Sequence, residues 1–144
     1  MAIQWSAWSG GSGAGGFRVG IDAAVSGVNI TPAYYVQTGG NSVADSQRLT
    51  RTGALSGTYD YTFNASGTPP LQKWIGSWSM NGTPGSTYYF GAALSGIYSG
   101  AAPSLEIAVT LPLGGPNTPG TPTLTRLSDT STRVQWVNNS PQAG

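Results

Sequence analysis

The 144-residue chain contains no cysteine and no histidine. Disulfides, thiolate chemistry and zinc sites built on these side chains are therefore excluded. So is a hydrolase triad that relies on a histidine base. Charge is scarce as well. Only 8% of residues are charged and the net charge is +1, against about a quarter charged in an average protein. With no basic patch to neutralise phosphates, nucleic acid is not an expected partner. There is also little like-charge repulsion to keep copies of the chain apart. One glutamate, Glu106, and one lysine, Lys73, stand in the whole sequence, whereas surface helices are normally filled with such residues. No stretch approaches the ~20 apolar residues of a membrane-spanning helix, so membrane insertion is not expected. The opening Met1-Ala2-Ile3-Gln4-Trp5 has neither the basic nor the apolar region of a secretory signal.

What remains is glycine, serine and threonine with tyrosine, tryptophan and valine between them, a composition that suits pleated strands and tight turns. Phe17, Val19, Ile21, Ala23 and Val25 alternate with smaller or polar residues, the period of a half-buried strand. Ser26-Gly27 predicts a turn, and residues 28–38 resume an extended pattern in which Pro32 predicts a bulge or an edge. Residues 2–8, 46–52, 58–63, 71–80, 87–94 and 105–111 read as further strands, with Trp74 and Trp78 on one parity of theirs. Gly39 to Ser42 and Asn81 to Gly85 read as turns. About eight short strands at such spacing predict an all-β, antiparallel, jelly-roll-like β-sandwich over residues 1–112. Residues 113–122, rich in proline and glycine, predict a linker. Residues 123–127 and 132–137 predict the first two strands of a further unit spanning 123–144, too few to be stable alone.

Few groups suited to chemistry are present. Gly11, Gly13 and Gly16 match the spacing of a dinucleotide-binding loop, but a strand follows where a helix would be needed, so no cofactor is expected. The carboxylates are Asp22, Asp45, Asp60, Glu106 and Asp129. Asp22, Asp60 and Glu106 fall on polar strand parities and Asp45 beside a turn. An acid–base pair of the kind a glycosidase uses is therefore not expected, and the reading is a chain that is not an enzyme. Asn41 and Asp45 offer too few carboxylates for calcium, so no metal is expected. Three Asn-x-Ser/Thr tripeptides, at Asn29, Asn64 and Asn81, read as chance matches in so polar a chain. The aromatic residues are the stronger signal. Trp5, Trp8, Tyr34, Tyr35, Trp74, Trp78, Tyr88 and Tyr89 are candidate contacts for a partner chain or a glycan, because rings stack on sugars and anchor interfaces. Neighbours on a strand face opposite ways, so one of Tyr34/Tyr35 and one of Tyr88/Tyr89 should lie outside the core.

Pro119, Pro122, Leu124, Leu127, Ser128 to Ser131, Val134, Trp136 and Pro141 resemble the opening of a fibronectin type III domain. That resemblance implies a structural, core-packed Trp136. The segments Tyr35-Val36-Gln37-Thr38, Ser46 to Gly53 and Ser56 to Phe63 are similar to the head of minor tail proteins from tailed phages of actinobacteria, which continue into fibronectin type III repeats. The resemblance implies a virion structural protein of the tail or tail tip, assembled in the host cytoplasm. It would pack against other tail proteins, as a homo-oligomer, and display domains toward a host-surface glycan. Trp5 and Trp8 would let the N-terminal strand add to a neighbour's sheet. The alternative is a carbohydrate-binding module of a bacterial extracellular enzyme or adhesin, binding through Trp74 or Trp78.

Overall fold

A computed structural model describes residues 2–9, 16–40, 42–95, 102–114, 122–128 and 131–135, with backbone alone at 42, 43, 45 and 126. No helix occurs among the described residues. The chain divides into two units, Met1–Leu111 and Pro112–Gly144.

In the first unit the strands follow one another as β1 (Gln4–Trp5), β2 (Phe17–Ser26), β3 (Asn29–Thr38), β4 (Ser42–Gly53), β5 (Gly57–Ser66), β6 (Leu71–Ser77), β7 (Met80–Asn81), β8 (Thr87–Ser95) and β9 (Ser104–Thr110). They form two antiparallel sheets. The first has the order β1-β2-β3-β6, with β7 also on β3. The second has the order β5-β4-β8-β9. Alternation decides which faces meet. Phe17, Val19, Ile21 and Ala23 are buried, and so are Thr38, Val36, Tyr34 and Pro32 opposite them on β3; Ile30 is buried too, although its partner Val25 is exposed. The second sheet answers with Leu49, Phe63, Phe90, Leu94, Ile107 and Val109. Phe17 meets Phe63 edge to face across the sandwich, with centroids 6.3 Å apart. Each large side chain buried in this way contributes about 1.5–3 kcal/mol.

The first sheet corrects two expectations. Leu71 to Met80 is not one strand with both tryptophans on one side. Tyr34 and Tyr35 are neighbours on β3, but they pair with Gly76 and Trp74, so Ile75 is an extra residue. That bulge reverses the parity of everything after it. Trp74 faces outward and is 58% exposed, while Trp78 turns in against Tyr34. Pro32 is not at an edge either: it lies inside central β3, in register with Ala23. β6 pairs with residues 33–38 of β3 and β7 with residues 29–30, so Pro32 faces the break between them. There its carbonyl accepts from Trp78 N, and the return bond that proline cannot donate falls in that gap.

β4 begins earlier than the polar stretch 46–52 suggests, because β5 pairs with it along its length from Ser42↔Ser66 to Arg51↔Gly57. Asp45 is therefore within a strand, opposite Phe63, and not beside a turn. The second unit shows an antiparallel hairpin of β10 (Thr123–Ser128) and β11 (Ser131–Gln135), with Leu124 opposite Val134. Trp136, Pro141 and Asp129 lie outside the described residues.

Candidate functional site

Strand register brings rings from distant parts of the sequence into one row. On the outer face of the first sheet, Trp5 of β1 lies opposite Gly20 of β2. Gly20 lies opposite Tyr35 of β3, and Tyr35 opposite Trp74 of β6. Adjacent strands are about 4.8 Å apart, so the row spans about 15 Å. Gly20 makes it possible: a Cβ there would stand 2.7 Å from Cε3 and Cζ3 of the Trp5 ring. The Trp5 side chain can lie across β2 only because that position is bare.

A polar row runs beside the rings. Arg18, Gln37 and Gln72 are in register on β2, β3 and β6. Arg18 Nε donates to Gln37 Oε1 at 2.8 Å, and Gln37 Nε2 donates to Gln72 Oε1 at 2.8 Å. The Arg18 guanidinium also lies over the rings of Trp5 and Trp8, 4.8 and 4.5 Å from their centroids. Contacts of this kind are worth about 0.5–1 kcal/mol each at exposed sites. They fix both indoles on the face.

The N-terminal segment is paired within this chain as β1, the edge strand of the first sheet. β1 completes its own sheet, and Ser6 N and Ser9 N continue the pairing to Val19 O and Phe17 O.

The remaining candidates divide. Tyr34 is fully buried and Tyr88 is partly buried, its hydroxyl accepting from Thr83 N at 2.7 Å. That bond holds the Tyr88 phenol below its usual range. Tyr34 and Tyr88 are thus removed from the contact surface, while Tyr35 reaches the outer face and Tyr89 is 53% exposed. Tyr89 stands on the second sheet, apart from the row. Trp78 is removed from the outer face too and closes one side of the sandwich. It meets Tyr34 and Tyr59 edge to face, with centroids 5.6 and 6.0 Å away, and Arg51 lies over its ring at 3.8 Å.

Reading by residue type misses Arg18, Gln37, Gln72, Arg51 and Tyr59. All fall on plausible strand parities, but which strand neighbours which is not written in local pattern. The described carboxylates do not converge: Asp22 is on the first sheet, Asp60 and Glu106 on opposite edge strands of the second. Asp60 is held by Arg48, whose Nε and Nη2 donate to its two oxygens at 2.5 and 2.8 Å. That pair lines a shallow groove with Ser46, Thr62 and Ser95. It keeps the Asp60 carboxyl below its ordinary range, a poor setting for a base. No group of three or more acidic side chains placed to hold a metal occurs among the described residues. Nor is any helix among them long and apolar enough to cross a membrane. Comparison with protein-family models, with curated proteins and with solved structures yields no match.

Proposed function

We propose that this chain is a structural module of a tailed-phage virion, in or near the tail tip, that works by surface contact. The contact surface is the outer face of the first sheet. One observation carries the reading: Trp5, Tyr35 and Trp74 stand in a single row on that face, with Trp74 mostly in water. A soluble sheet normally puts polar residues on its outer face, and an exposed indole in a row with two partly exposed rings points to a partner. The tail assignment comes from the sequence resemblance. The row supplies the means of assembly or adhesion.

A carbohydrate-binding module is the second reading, favoured by the Arg18–Gln37–Gln72 row. Amide and guanidinium groups beside flat rings suit sugar hydroxyls and sugar faces together. The test is sedimentation and glycan-array binding of the full chain and of Trp74→Ala. Under the first reading the wild type self-associates or binds tail proteins, and the variant loses at least about tenfold in affinity. Glycan binding by a strict monomer, abolished in the variant, transfers the face to the second reading. A monomer that binds nothing overturns both.

A further inference from the structure

Arg51 is a half-buried cation of the first unit with no ion pair among the described residues. It projects from the inner face of β4, in register with Gly57 on one side and Ala92 on the other. Its Nε is buried and has no hydrogen-bond partner among the described residues. One face of the guanidinium lies on Trp78. The fully buried Tyr34, which touches the same indole, also has a hydroxyl without a partner. Burial pushes that phenol up, and only the nearby Arg51 charge opposes the rise. Unpaired polar atoms in such a place are costly.

β5 is the edge strand of the second sheet, and its Gly57 has no side chain where Arg51 Nη2 sits: a Cβ there would be 2.7 Å from it. Arg51 thus reaches outward over the sheet edge, beside the 43%-exposed ring of Tyr59. Arg18 and Lys73 also have no ion pair among the described residues, but Arg18 is held by Gln37 and two indoles, and Lys73 stands on edge strand β6, where its flexible stem lets the ammonium reach water. Arg51, stacked and half-buried, has no such freedom.

The same unit carries an exposed carboxylate with no ion pair among the described residues. Asp60 belongs to Arg48; Glu106 has no such partner. Glu106 lies on β9, the opposite edge of the second sheet from β5. Ala92 pairs with both Arg51 and Leu105, so Glu106, one residue further, points to the other face of the sheet. The sheet itself keeps the two charges from meeting within one copy.

We infer that the carboxylate of Glu106 from a second copy of this chain docks on Arg51, in the opening between Gly57 and Tyr59. Arg51 reaches over the β5 edge and Glu106 stands on the β9 edge, so the contact is head-to-tail and propagates into a ring or a filament. It presupposes the assembly role proposed above but uses none of the residues of the ring-bearing face.

The experiment is sedimentation of the full chain as wild type, Arg51→Glu, Glu106→Arg and the double reversal. Each single reversal should weaken self-association by at least about tenfold, and the double reversal should restore it. High salt should weaken the wild type. Glu106→Gln, on an exposed strand face, gives the same readout without any risk to the core, and melting curves verify that every variant folds. A wild type that never self-associates overturns the inference. So does an oligomer indifferent to Glu106→Gln and to both reversals, and in that case the reading of the aromatic face stands.

Discussion

The two outer faces of this sandwich are built from the same kind of strand and have opposite chemistry. The outer face of the first sheet carries an exposed Trp74, partly exposed Trp5 and Tyr35, and Arg18 and Gln72 on either side of the buried Gln37. The second shows Thr50, Thr58 and Thr62, Ser95 and Ser104, and the Arg48–Asp60 pair, with Tyr89 the exposed ring. Hydroxyls and a surface ion pair are at home in water and contribute little to stability. Rings are not at home there, and they need Gly20 and Arg18 to stay in place. The comparison teaches that the strand pattern makes the sandwich, whereas the choice of residue on the outward parity distinguishes a solvated face from a contact face.

Three variants sharpen this contrast. The largest effect belongs to what the sheets share. Phe63→Ala removes a ring fully buried between them and should cost about 3–5 kcal/mol in denaturant unfolding. A loss below about 1 kcal/mol would mean that the two sheets do not share one core.

Gly20→Ala acts on the contact face alone. The added methyl meets the Trp5 ring and Ile3, so the N-terminal strand must shift. About 1–3 kcal/mol of destabilisation is expected, with a red-shifted tryptophan emission. An unchanged spectrum and unchanged stability would detach Trp5 from the proposed row.

The smallest effect belongs to the solvated face. Asp60 titrates below its ordinary value because Arg48 donates to it. Its contribution is present above the unfolded carboxylate range and is lost as pH falls through the lowered folded value. Melts at neutral and acid pH should therefore show a slightly flatter acid decline for Asp60→Asn than for wild type, the difference vanishing in high salt. A large neutral-pH loss would give that face a structural role its exposure does not suggest.

Much of the fold is legible from residue order. Phe17 to Ala23 alternate and form β2; Ser26-Gly27 marks the hairpin, where Gly27 takes a φ of +59°. Of the candidate site, the opposed facing of Tyr34/Tyr35 and of Tyr88/Tyr89 follows from the period of two alone. The misplacements have physical causes too. Trp74 and Trp78 lie four apart on an apparently regular strand, and nothing local announces that Ile75 is an extra residue. Pro32 reads as an edge signal, yet a central strand accommodates it because its partner strand is interrupted.

By itself the amino-acid order determined that this chain is all strand, poor in charge and without thiol or imidazole chemistry, since these depend on composition and on a period of two. Tertiary structure alone decided that Trp5 stands in one row with Tyr35 and Trp74, and that Arg51 and Glu106 are kept apart. Both facts depend on pairing between strands far apart in the chain, and that pairing is selected by the burial of whole faces, not by any short segment.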